Sequence, residues 1–150
     1  AREVADLVAP VLGWSAQAAR GLGAQRVREG RSQGLSVASA GSPLRIAGSR
    51  SHSDPRMAQA LERIGAHTLK PMGSALKFVL VAAGEADVYL RFGPTSEWDT
   101  AAGQCVLEQA GGLLLSADGE PFSYNRRETL LNGDFIALGD PSLPWREWLA

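Results

Sequence analysis

The pattern of apolar and polar positions divides the chain into two parts. Residues 4–12 ("VADLVAPVL") read as a strand. "WSAQAA", the Gly-rich turn "RGLGA" and "QRV" predict an antiparallel hairpin, followed by "REGRSQG" as loop. From about residue 44 the pattern becomes an alternation. "SPLRIAGS" holds a short apolar strand near Leu44–Ala47. "SDPRMAQALERIG" predicts a helix, with Ser53 or Asp54 as cap and Pro55 near the first helical position. Met57, Leu61 and Ile64 fall at helical spacing, and Gly65 is the stop signal.

The alternation continues with "AHTLK" as strand. "GSALKFVLVAAGE" follows as a mostly buried helix, capped by Ser74 and ended by Gly84, and "ADVYLRF" is again strand. "WDTAAGQCVLEQAGG" is helical up to its double glycine. "LLLSADGEPF" is a strand turning at Asp118-Gly119, "FIALGD" the last strand and "LPWREWLA" a terminal helix. The order β-α-β-α-β-α-β-β favours an open, layered α/β sheet. The first 40 residues do not close a core alone. Residues 1–40 are therefore set apart as an antiparallel region and residues 41–150 as an α/β domain.

Composition narrows the function classes. With 45% hydrophobic and 21% charged residues, the 150-residue chain is globular and about one domain in size. A net charge of −1, from 15 basic and 16 acidic residues, argues against a nucleic-acid binder. No apolar run approaches the ~20 residues of a membrane span. No signal-type leader is evident, so a cytoplasmic location is expected, or a leader already removed. Cys105 is the single cysteine and sits among Ala and Val, which reads as core.

Candidate chemistry collects at the carboxyl ends of the strands, where ligands bind in open α/β sheets. "SRSH" brings His52, "GSALK" brings Ser74 and Lys77, "VYLR" brings Arg91, and the next helix begins near Asp99. Cations, hydroxyls and a helix N-terminus suit a phosphate, and a carboxylate beside them suits Mg²⁺. Each residue also has a plainer reading. Asp99 and Ser74 are helix caps by pattern, Lys77 would snorkel to solvent, Arg91 is a surface residue and His52 a loop hydrogen-bonder.

"WDTAAGQCVLEQAGG" resembles the C-terminal signature of the inositol monophosphatase superfamily. "SRSH", "GSALKF", "ADVYLRFGPTSEWDTAAG" and "NRRETLLN" resemble more narrowly its CysQ branch, the 3'(2'),5'-bisphosphate nucleotidases, and so do the early "VAPVLG" and "AARGLGA". The resemblance implies the C-terminal portion of a layered α-β-α sandwich, preceded by an antiparallel hairpin from an incomplete N-terminal sheet. It implies a Mg²⁺-dependent phosphatase that removes the 3'-phosphate of 3'-phosphoadenosine 5'-phosphate to give AMP. An inositol or sugar monophosphatase is the alternative, as is a non-catalytic nucleotide-binding fragment. By position, Asp99 matches the metal-binding aspartate. His52, Ser74, Lys77 and Arg91 match residues that contact the nucleotide. Gly73 would let the backbone approach the ligand, and Ala101, Ala102 and Gly103 would leave room beside it. The family's upstream Glu-rich segment and D-P-x-D-G-T motif are not in this sequence, and Asp54-Pro55 lacks the residues that would complete the latter. The expectation is a C-terminal half without the nucleophile-activating residues, inactive in isolation, with exposed apolar surface on its sheet. The partner is a small-molecule nucleotide; no nucleic acid or membrane is implied.

Overall fold

Proline and glycine divide the first part into a meander. In the computed structural model, which describes residues 4–48 and 54–150, β1 (Val4–Ala9), β2 (Trp14–Ala19), β3 (Gly23–Arg28) and β4 (Arg31–Leu35) pair antiparallel in sequence order. The first strand is shorter than the sequence pattern suggests. Pro10 cannot donate to a ladder, and residues 10–12 turn as a 3₁₀ segment. The expected loop at residues 28–34 is in fact a second hairpin. Glu29 and Gly30 both have positive φ, 50° and 73°, the geometry of a two-residue turn whose twist suits paired strands. Arg31–Leu35 accordingly returns along β3, with Arg28 opposite Arg31 and Ala24 opposite Leu35.

The register places small residues on one face of this sheet. Ala5 lies opposite Ala18, and Ala18 opposite Ala24. These three, with Ala9 and Ala16, are buried together with Trp14 and Leu35. Helix α3, described below, packs across β1, β2 and β3 on that face. The opposite face leaves Val4 and Val8 exposed.

The second part builds a mixed sheet. Its elements are β5 (Leu44–Gly48), α1 (Pro55–Ile64), β6 (His67–Pro71), α2 (Leu76–Ala82), β7 (Val88–Arg91), β8 (Thr95–Ser96), α3 (Glu97–Gln109), β9 (Leu113–Ser116), β10 (Leu131–Asn132), β11 (Phe135–Leu138) and α4 (Trp145–Leu149). The strand order is β6-β5-β7-β11-β9. β5 runs parallel to β6 and β7, and β11 runs antiparallel to β7 and β9.

Alternation along the strands splits the core in two. Ala47, Tyr89, Leu114, Phe135 and Ala137 face α2 and α3, and this cluster continues into the alanine face of the antiparallel sheet. Ile46, Val88, Leu90, Leu115, Ile136 and Leu138 face the other way. Met57, Leu61 and Ile64 of α1 cover them, as do Trp145 and Trp148 of α4. The mixed sheet is thus an α-β-α sandwich, and the antiparallel sheet adds a fourth layer outside α3.

Local signals set the helix ends. Asp54 caps α1, its carboxylate accepting the Arg56 N–H at 2.9 Å; Ser53 lies outside the described residues. Gly103 lets α2 and α3 approach closely, because a Cβ there would meet the Phe78 ring at 2.2 Å. β8 and β10 form a two-residue ladder that the sequence pattern does not reveal.

Candidate functional site

Lys77 packs over Tyr89, and Arg91 follows two positions further along the same strand. Tyr89 and Arg91 are two positions apart on β7, so both side chains leave the sheet on the same face. Lys77 is the second residue of α2, in its first turn, above that face. It does not reach solvent as a snorkelling lysine would: the residue is 6% exposed. Its Nζ lies 5.0 Å from the Tyr89 ring centroid, a cation–π contact, and donates to the Ser74 carbonyl at 3.3 Å. Burial, reinforced by the neighbouring Arg91 charge, holds the Lys77 ammonium below its ordinary pKa. Burial also pushes the Tyr89 phenol up to about 12, with Arg91 opposing and Asp99 assisting. The two cations and the Asp99 carboxylate are therefore all within electrostatic reach of this ring.

Asp99 does not cap its helix as the sequence pattern suggests. The N-cap of α3 is Ser96, and Asp99 is the third helical residue. The Asp99 Oδ2 accepts the Ser96 backbone N–H at 2.9 Å, the reaching-back half of a capping box. Asp99 is exposed, and so is its neighbour Trp98. One carboxylate oxygen is taken by the helix terminus, and Oδ1 carries none of the described hydrogen bonds.

The remaining candidates separate. His52 lies outside the described residues. Ser74 is exposed, has a φ of +50° and does not cap α2, whose N-cap is Ala75. Gly73 is exposed with open space around it. The small residue at Gly103 serves the Phe78 contact. Among the described residues, no group of three or more His, Cys, Asp or Glu could hold a metal ion. The described residues thus fit a divalent cation only as a single carboxylate ligand, which is too few for Mg²⁺.

Sequence reasoning passed over a polar network beside Asp99. Glu97, Thr100 and Gln104 are buried along one face of α3. Asn132, 2% exposed, donates to the Thr100 hydroxyl at 2.9 Å and to the Ser96 carbonyl at 3.1 Å. Tyr124 donates to Gln104 Oε1 at 2.7 Å. Glu97 accepts from the Asn125 N–H and from Arg127. The available signal was polar residues three and seven positions apart on a helix that is otherwise apolar inward.

The chain belongs to the inositol monophosphatase family, whose pattern matches residues 4–140. Within that family its relatives include CysQ proteins. It is 47% identical over 87 residues to the 3'(2'),5'-bisphosphate nucleotidase CysQ of Escherichia coli K12, an alignment covering 58% of this chain and 35% of that protein. To the CysQ of Aggregatibacter actinomycetemcomitans it is 34% identical over 140 residues, covering 91% of this chain and 52% of the relative. The crystal structure of CysQ from Bacteroides thetaiotaomicron superposes with a TM-score of 0.73 at 36% identity, covering 83% of this chain and 53% of that one. The chain thus spans about half the length, or less, of these relatives.

Proposed function

We propose that this chain carries the phosphate- and nucleotide-binding side of a phosphomonoesterase that removes the 3'-phosphate of 3'-phosphoadenosine 5'-phosphate to give AMP. The observation that carries the reading is the cation Lys77 held over Tyr89, with Arg91 on the same face at the end of that strand and Asp99 in the first turn of the next helix. Two cations and one carboxylate leave a net positive site at a strand end, which suits an anion. Lys77 is held largely out of water, where its charge acts on a ligand with little screening. Likeness to CysQ proteins supports a bisphosphate nucleotide over an inositol phosphate. Ser74 and His52 are assigned to the same ligand on the sequence resemblance.

In the same reading Mg²⁺ is the cofactor of the complete enzyme, and Asp99 offers it one carboxylate oxygen. The other ligands would have to come from outside the described residues. The chain alone is therefore expected to bind nucleotide without turning it over. Residues 1–40 are assigned to the antiparallel sheet region of the complete enzyme and residues 41–150 to its C-terminal α/β domain.

Phosphate release from 3'-phosphoadenosine 5'-phosphate with Mg²⁺ tests this. The proteins to assay are this chain, a longer enzyme that adds the upstream half of a CysQ relative, and the Asp99→Asn variant of each. Turnover in the longer enzyme that is lost in its variant is expected. Faster cleavage of inositol monophosphate than of the bisphosphate would refute the substrate assignment. No calorimetric signal with AMP at millimolar concentration would refute nucleotide binding by this chain.

A further inference from the structure

We infer that residues 130–134 are a positioning strap for this site, with Asn132 and Asp134 fixing the connection that carries Arg91 at one end and Asp99 at the other. The inference rests on the phosphate-binding reading above. Arg91 and Asp99 are joined by residues 92–98, a stretch with only two residues of strand. Its geometry comes from the chain beside it. Phe135 of β11 pairs with Arg91. The Asp134 Oδ1 accepts the Gly93 N–H at 2.7 Å, and its Oδ2 accepts from Arg56 at 2.5 Å. Arg56 in turn lies over the Phe92 ring, 5.1 Å from its centroid.

Further along, Asn132 lies opposite Thr95 and Leu131 opposite Ser96, and the Leu130 carbonyl accepts the Glu97 N–H at 2.8 Å. The Asn132 amide then reaches past the ladder to Ser96 and Thr100, which flank Asp99 on the chain. A buried amide needs partners, and here its partners are the groups that define the first turn of α3. The strap therefore sets the separation of the cation assigned to the nucleotide and the carboxylate assigned to Mg²⁺.

Electrostatics and positioning predict opposite signs at Asp134. Removing a negative charge from the protein should by itself strengthen binding of an anion. Removing the partner of Gly93 should loosen the Arg91 end and weaken it. Calorimetric titration of this chain with AMP separates the two, at a temperature where circular dichroism shows every variant folded. Asp134→Ala and Asn132→Ala are expected to weaken AMP binding about tenfold, the scale of one lost hydrogen bond passed on to the ligand. Asp134→Asn keeps an acceptor for Gly93 and should recover most of the affinity. Ile46→Val, which removes a buried methylene from β5 away from the strap, should leave AMP binding unchanged. The inference is overturned if Asp134→Ala binds AMP as tightly as the parent or more so, or if Asp134→Asn is as weak as Asp134→Ala. Should Asn132→Ala fail to fold, the Asp134 pair decides, since that side chain is partly exposed. A parent chain that does not bind AMP removes the phosphate-binding reading and this inference together, a result visible before any substitution is made.

Discussion

Replacing Gly103 by alanine adds one methyl group where α3 meets α2. Its Cβ would lie 2.2 Å from Phe78 Cδ2 and 2.6 Å from Cγ. Ordinary contact begins near 3.4 Å, so ring or helix must yield by about 1 Å. The Phe78 ring has little room to do so. It is 1% exposed, 5.1 Å from Tyr89 edge-on and 5.7 Å from Phe135 in a stack. Overpacking of this kind costs about 1–3 kcal/mol, and a ring backed on two sides belongs at the upper end. Alanine returns about 1 kcal/mol through helix propensity. The net expectation is a destabilisation of about 2 kcal/mol, or roughly 4–8 °C in Tm for a chain of this size. Urea and thermal melts of Gly103→Ala, with Gly34→Ala as reference, measure it. Gly34 has open space around its Cβ position and no positive φ, so its variant should melt no lower than the parent. A Gly103→Ala protein as stable as the parent would refute the close-approach argument.

Two more predictions concern buried charges. Lys77→Met should be more stable than the parent at pH 7 while losing affinity for AMP, because the site keeps a desolvated cation for its ligand. The folded pKa of Lys77 lies below its ordinary 10.5. Between the two values the unfolded chain binds more protons, so parent stability rises with pH there, and the gap to Lys77→Met should narrow toward pH 10.5. Urea melts at pH 7 and 10 check this; a variant less stable at pH 7 refutes it. Arg45→Met should cost about 3 kcal/mol at pH 7, since it strips the partner from a buried carboxylate. Asp87 is 1% exposed and accepts from Arg45 Nη2 at 2.8 Å and from the Arg45 backbone N–H at 2.7 Å. Burial pushes the Asp87 pKa up, but these hydrogen bonds outweigh it and hold it below the ordinary 3.8. The pair's contribution is present above pH 3.8 and fades as pH falls below it, so the Arg45→Met deficit should be smaller at pH 3.5 than at pH 7.

How far the sequence could be read depended on how much apolar signal each element carries. Met57, Leu61 and Ile64 announced α1, and paired alternation announced β5, β7 and β11. "RSQG" offers no apolar residue before Leu35, so β4 read as loop, although the Glu29-Gly30 turn was its signature. The β8–β10 ladder has two residues per strand, too few for any period. At the site, the S-x-x-D spacing of Ser96 and Asp99 is a capping box read three residues too late. Lys77 defied its default because Tyr89 and the chain around Ser74 enclose it, a tertiary fact that spacing along α2 cannot encode. Tyr89 itself looked like an ordinary aromatic in a strand. Its role follows from sharing a face with Arg91, which β7 alternation did imply.

The alanines under α3 make the antiparallel sheet a spacer. Methyl groups at Ala5, Ala9, Ala16, Ala18 and Ala24 set how low the helix rides, and α3 carries Asp99 in its first turn. Volume rather than polarity therefore limits what these positions tolerate. A valine at Ala16, conservative by hydropathy and remote in sequence from every candidate ligand, would raise α3 and carry the carboxylate with it. Engineering for solubility belongs on the Val4 and Val8 side, where side-chain size is not transmitted to the chemistry.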